Sequence, residues 1–212
     1  MWALKAGDRQ MKDWKLAIIL LTLSLFAGVA CQNSDDEEVD WTTTITTLGN
    51  FSDNGDGTVT QGNLIWMKCA QGQVWDSAVN ACSGTGAGTT YGAVSLAYCE
   101  TATLDAGGTC TNAATLESDS GPAFSSCANL TFAGSSDWRL PTRYELDLLA
   151  EGFNRETFLY VFPQTPDDKY FWAGTQAEDD TGTAYTVSFA KNTFGFLQTS
   201  SKSSVKYVRC VR

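Results

Sequence analysis

Seven cysteines behind an apolar leader constrain this chain more than any other feature. The segment "MKDWKLAIILLTLSLFAGVAC" opens on the bases Lys12 and Lys15, runs apolar from Leu16 to Ala30 and stops at Cys31. A run of about 15 residues is short for a membrane span, which wants roughly 20, and has the length of a secretory signal's core. Met11 makes a better start than Met1, because it sets the bases directly before that core. Residues 1–30 therefore read as a signal peptide. Exported chains meet oxidising conditions, and the cysteines after Cys31 are an even set: Cys69, Cys82, Cys99, Cys110, Cys127 and Cys210. That is the count of a disulfide framework. Zinc is the rival, and it fails on spacing: there is no CxxC pair and no histidine.

The small residues Gly28, Val29 and Ala30 before Cys31 resemble a bacterial lipoprotein processing site, in which the cysteine becomes the lipidated N-terminus. The resemblance implies attachment to a membrane through Cys31 and a place in the cell envelope, on the outer membrane where the cell has one. The "QNSDDEEVD" that follows has nothing to bury, so residues 31–41 read as the lipidated cysteine and a disordered acidic tether. Residues 42–212 then form a single domain, long enough for a full core.

Six cysteines allow about 15 pairings. Close spacing favours Cys69–Cys82 and Cys99–Cys110 as local loops and leaves Cys127–Cys210 as the long-range bond. Closing so long a loop contributes about 4 kcal/mol in the chain-entropy view.

Charge narrows the partners. The chain has 14 Lys and Arg against 24 Asp and Glu, a formal net charge of −10. Four of those bases and two of the acids fall in the first thirty residues, so the remainder is more acidic still. Such a chain does not bind nucleic acid as a whole.

Along the chain, "TTTITTLGNFSDNGDGTVTQGNLIWMKCA" is strand-rich, with a turn cluster at "NGDG". In "NLIWMK", Leu64, Trp66 and Lys68 alternate against Ile65 and Met67, a pattern that permits burial on both faces. "SDNGDGTVTQGN" also fits the first positions of an EF-hand-like calcium loop. The twelfth position would be Asn63, where such loops need a bidentate glutamate, so the hairpin turn is preferred. Residues 83–120 are rich in Gly, Thr and Ala and read as an insertion held by a disulfide. Within it "YGAVSLAYCETA" has the pattern of a short helix. "GPAFSSCANLTFAG" predicts a helix from Pro122 to Gly134. "KYFWAGTQ" predicts a strand, "AYTVSFAKNTFGFLQTS" a hairpin around Lys191 and Asn192, and "SVKYVRCVR" a closing strand with Val208 and Cys210 opposed to Tyr207 and Arg209.

"SSDWRLPTRYELDLL" reads as a strand end running into a capped helix. Trp138 and Leu140 alternate around Arg139, and Pro141 keeps Leu140 extended. Thr142 and Glu145 form a T-x-x-E capping box, the leucines supply a buried stripe, and Gly152 ends the helix. Trp138, Pro141, Thr142 and Glu145 are thus structural. Arg139, between two core residues, is placed to hold a carboxylate or a chain end, with Asp137 and Asp147 nearby in sequence.

Five stretches in order carry a resemblance: "FSDNGDGTVTQGNLIWMKCAQGQVW", "CANLTFAGSSDWRLPTRYELDLL", "YFWAGT", a "VSF" strand and the closing "YVRCVR". From about Phe51 to Arg212 the chain resembles the C-terminal domain family of the Legionella collagen-like adhesin. The resemblance implies pairing of Cys127 with Cys210 and binding of sulfated polysaccharide. The insertion departs from that family's compact form. The R-L-P-T-x-x-E-L element is also similar to one in formylglycine-generating enzymes. Both families imply an α+β, C-type-lectin-like fold: a twisted antiparallel sheet, one or two helices and long disulfide-held loops.

Little here supports catalysis. There is no histidine, no G-x-S-x-G and no marked carboxylate pair, and the cysteines are committed to disulfides. The chain reads as a non-enzymatic module without a cofactor. From Thr181 to Arg212 there are five bases, Lys191, Lys202, Lys206, Arg209 and Arg212, and no acid. In an acidic protein this is a candidate anion-facing surface, and Tyr170 and Trp172 are candidates for stacking on sugars. The plainer alternative makes the bases solvated strand faces with acids from elsewhere beside them, and the aromatics ordinary sheet residues. Three functions stay open: a surface module for glycan or matrix, an envelope component binding protein partners, and an oxidoreductase related to the formylglycine enzymes.

Overall fold

Strand-favouring residues broken by "NGDG" and "QGN" fold as an antiparallel meander of β1 (Phe51–Asp53), β2 (Thr58–Gln61) and β3 (Leu64–Met67). The first turn needs the left-handed backbone that glycine tolerates, and Gly55 and Gly57 supply it at φ +74° and +87°. Its acids serve the turn itself. Asp53 accepts from the Gly55 amide at 3.0 Å, and Asp56 from the Thr58 amide at 3.0 Å.

The computed structural model describes residues 51–85, 88–99, 121–178 and 182–212, all within the compact unit Asp40–Arg212. The leader 1–30, Cys31, the tether to residue 41, the Thr-rich stretch before Phe51 and most of the insertion, Cys110 included, lie outside the described residues. The fold is mixed α+β. After the meander come the hairpin β4 (Val74–Asp76) and β5 (Ala81–Ser83), then the short strand β6 (Leu96–Ala97). Three short helices follow: α1 (Pro122–Ala128), α2 (Arg143–Leu148) and α3 (Arg155–Val161). A second antiparallel sheet, β7 (Phe171–Gln176), β8 (Thr183–Val187) and β9 (Leu197–Ser201), comes next, and β10 (Val205–Lys206) returns to pair with β6. Disulfides join Cys69 to Cys82 and Cys127 to Cys210. Cys99 is also disulfide-bonded.

The chain end unites these pieces. Tyr207 through Val211 are all buried. Their backbone bonds to Tyr170 and Trp172 on one side, to Met67 and Gln71 on another, and to Arg139 in both directions. The alternation has a purpose: Tyr207 and Val211 enter a core with Phe51, Trp66, Phe158, Phe162, Phe171 and Phe189. Val208 and Cys210 enter a second core with Met67, Tyr98, Phe124, Trp138 and Trp172. β3 divides the same way, with Leu64 and Trp66 toward the first core and Ile65 and Met67 toward the second.

Three local expectations change. The stretch 91–102 is not a helix where it is described: Leu96 and Ala97 pair with Lys206 and Val205, and Tyr98 is buried against Phe124 and Trp172. The tertiary partner outweighs a weak helical pattern. The helix from Pro122 stops at Ala128 instead of Gly134. Phe132 and Ser135 bond to each other across a turn with Ala133 and Gly134 at positive φ, and the Phe132 carbonyl accepts from Trp138 Nε1 at 3.2 Å. The third concerns the helix after Pro141, which ends at Leu148, with Gly152 (φ +78°) in the turn beyond.

Arg139 holds Glu145, not Asp137 or Asp147. Two 2.8 Å hydrogen bonds join the guanidinium to both carboxylate oxygens. The same carboxylate accepts from the Thr142 amide at 2.7 Å, and the Thr142 hydroxyl accepts from the Glu145 amide at 3.2 Å. One side chain thus completes the capping box and anchors the arginine beside the chain end. Burial works to raise the Glu145 carboxyl, but hydrogen bonds from Arg139 and Thr142 outweigh it, and the group titrates below the ordinary range. A depressed carboxyl contributes stability above its unfolded pKa and loses it as pH falls through the folded value. Glu145→Gln is therefore expected to cost about 1–2 kcal/mol at neutral pH in chemical denaturation, with the difference from the native domain shrinking below about pH 4.

Candidate functional site

The C-terminal bases divide by burial. Arg209 is completely buried. Its Nη1 donates to the carbonyls of Met67 (2.9 Å) and Lys68, and its Nη2 to the Thr165 hydroxyl at 2.7 Å. The guanidinium lies 4.6 Å from the Phe162 ring centre and 5.6 Å from that of Phe171. Burial pushes it down to about 9, which still leaves it charged at neutral pH. Lys202 is equally buried; its Nζ reaches Gln176 Oε1 at 2.8 Å and lies over the Tyr98 ring. Trp172 is buried too, with Nε1 donating to the Leu96 carbonyl at 2.9 Å. These three cannot meet a ligand from solvent, and their place among the candidate binding residues is corrected. Each side chain is held by groups of the domain itself.

Arg212 is partly exposed, 3.5 Å from Asp137 and over the Trp138 ring. An acid from another segment does sit beside that base. Lys191 is exposed in the turn between β8 and β9, next to a loop whose Phe196 is also exposed.

Lys206 and Tyr170 do come together, and they bring a residue that sequence reasoning missed. The Tyr207 amide donates to the Tyr170 carbonyl at 3.0 Å, which aligns Lys206–Tyr207 with Lys169–Tyr170. Lys206 Nζ lies 5.9 Å from the Tyr170 ring centre. Lys169 Nζ reaches Ser95 Oγ at 3.2 Å on the neighbouring β6 segment. Its carboxylate neighbour among the described residues is Asp168 at 3.9 Å, which the Tyr207 hydroxyl already engages at 2.6 Å. Lys206 makes no ion pair among the described residues. Partial burial, and then the like charge of Lys169, hold the Lys206 ammonium below the ordinary lysine range. The patch is two neighbouring ammonium groups, a tyrosine ring and a serine hydroxyl, which is a constellation for an anion carried on a stackable scaffold. In the sequence Lys169 was hidden by Asp167 and Asp168 directly before it, which cancel its charge in any running count.

Comparison with known families matches residues 57–212 to the Lcl C-terminal domain. The chain belongs to the Lcl C-terminal domain family. The match starts at Gly57, inside the β1–β2 turn, and covers every element from β2 to the chain end. A search of curated proteins finds no match. Family membership makes this an adhesin-type, non-catalytic domain. Among the described residues every cysteine is committed: Cys69, Cys82, Cys99, Cys127 and Cys210 are all disulfide-bonded. Among the described residues no cluster of three or more His, Cys, Asp or Glu is placed to hold a metal ion.

The depressed lysine gives a direct check. Acylation of Lys206, followed by mass spectrometry across pH, is expected to show a midpoint below the ordinary lysine range. In Lys169→Gln the midpoint should move upward, because a repelling charge is gone, and should stay below the ordinary range, because burial remains.

Proposed function

We propose that this Lcl C-terminal domain is a surface-anchored binding module that recognises an anionic extracellular glycan or matrix polymer through Lys169, Tyr170 and Lys206. One observation carries the reading. In a chain of net charge −10, Lys206 lies over the Tyr170 ring on a segment aligned with Lys169–Tyr170, where burial and then the like charge of Lys169 disfavour its ammonium. Holding like charges together disfavours the free domain and is relieved by a bound anion. Lys191 and Arg212 are outlying contacts in this reading. Cys31 is the lipid anchor, the acidic tether spaces the domain from the cell envelope, and the chain arrangement is of the C-type-lectin-like kind.

The test is retention on immobilised heparin at two salt concentrations. The native protein should bind at low salt and weaken steeply at high salt, as screening of exposed charges requires. Lys169→Gln with Lys206→Gln should weaken binding several-fold, roughly the effect of losing two partly exposed ionic contacts. Unchanged retention of that double variant would rule the patch out.

A second reading, an envelope component that binds protein partners, has its own support. On α2, Tyr144 is 70% exposed and Leu148, four residues on, is 39% exposed. Two apolar side chains on one helical face are a small protein-contact stripe. Recovery of envelope proteins by the native domain, lost in Tyr144→Ser, together with silence on heparin, would favour it.

A further inference from the structure

A recess lies between the β4–β5 turn and α3. It holds about 490 Å³ and is lined by Ser77, Val79 and Asn80 on one wall and by Leu159, Tyr160 and Pro163 on the other. None of its lining side chains is charged. One wall is polar and turn-like; the other is aromatic and aliphatic.

Two features show that the walls are built rigidly. Gln164, directly after Pro163, accepts from the Cys82 amide at 2.8 Å through its side chain and from Gln73 Nε2 at 2.9 Å through its carbonyl. Cys82 is itself tied to Cys69. The hairpin is thus bonded to the chain leaving α3. The backbone is also held in a costly conformation at Asn80 on one wall and at Gln164 directly after the other: each sits at φ +47°, two of the four non-glycine residues at positive φ among those described. Strain of this kind persists where the surroundings over-determine a geometry, and it clusters at binding sites.

Asn80 has a directed donor. Its Oδ1 faces Lys68 Nζ at 3.2 Å, and that ammonium is completely buried and paired with Asp53 at 2.6 Å. Because the amide oxygen turns toward the cation, the amide nitrogen is turned away from it. It makes no hydrogen bond within the described residues. A purely apolar ligand would leave this donor unpaired, and an ionic one would find no counter-charge in the lining.

We propose that this recess binds an uncharged saccharide. One pyranose ring lies with its C–H face on the Leu159–Tyr160–Pro163 wall and its hydroxyl edge on the Asn80 amide and the Ser77 hydroxyl. The site is separate from the lysine patch, uses no charge, and does not depend on the anionic-glycan reading.

The test uses the full chain on an array of neutral glycans ending in glucose, galactose, mannose and N-acetylhexosamines, read at low and high salt. Binding to at least one terminal sugar, unchanged by salt, is expected. Tyr160→Ala should weaken it about tenfold, the loss of one well-placed wall contact. Val79→Trp, at a turn position 68% exposed and so harmless to folding, should block it by filling the recess. Lys169→Gln with Lys206→Gln should leave it intact. An array silent for the native chain would overturn the proposal, as would neutral-sugar binding that survives both Tyr160→Ala and Val79→Trp. Neither result touches heparin binding, so the two sites fail separately.

Discussion

Residues Tyr207 to Val211 are closed in on every side, and their backbone is shared among three otherwise separate parts of the chain. At their centre Arg209 holds a buried positive charge, and among the described residues no carboxylate hydrogen-bonds to it. Its donors meet two backbone carbonyls and a hydroxyl between two phenylalanine rings. Charge-assisted bonds to carbonyls offset part of the desolvation cost. They also demand that β3, the Thr165 turn and the last strand be in register together. Cys127–Cys210 closes the same junction covalently, from α1 to the residue after Arg209. The two cores meet here, so neither can form fully before the end of the chain arrives.

That placement accounts for the surface as well as the interior. Immediately before the buried strand, β10 pairs with β6 and brings Lys206 beside Ser95 and Leu96. The first ladder bond of the strand then sets Lys206–Tyr207 against Lys169–Tyr170. A local concentration of positive charge on an acidic domain is thus a by-product of how the strand is seated. Among other residues, Cys69–Cys82 and the Gln164 hydrogen bonds hold the segments that border a neutral recess. The two proposed sites, unlike in chemistry, suit an adhesin-type module, which needs surfaces held in shape and no reactive group.

The "DWRLPT" element was readable from sequence because its physics is local. A capping box spans four residues, and Thr142 and Glu145 form it. The partner of Arg139 lies six residues on inside the same motif, farther in sequence than Asp137 and nearer than Asp147. Glu145 serves both Thr142 and Arg139, and a one-role reading of the cap concealed this. The stretch at 91–102 misled for the opposite reason. Its helical spacing was real but weak, and a strand partner more than a hundred residues later decided its state.

Sequence alone determined what depends on neighbours along the chain: the Gly-dependent turn at 54–57, the cap of α2, the alternation of the last strand and the acidic balance. It also carried the ordered motifs by which the family is recognised. Only the tertiary structure decided which of five C-terminal bases face solvent, that Lys169 joins Lys206, and that a neutral recess opens beside α3. Burial and proximity of charges arise from contacts between segments far apart in the chain. A one-dimensional pattern records which residues alternate, and carries no information on what is packed against each face.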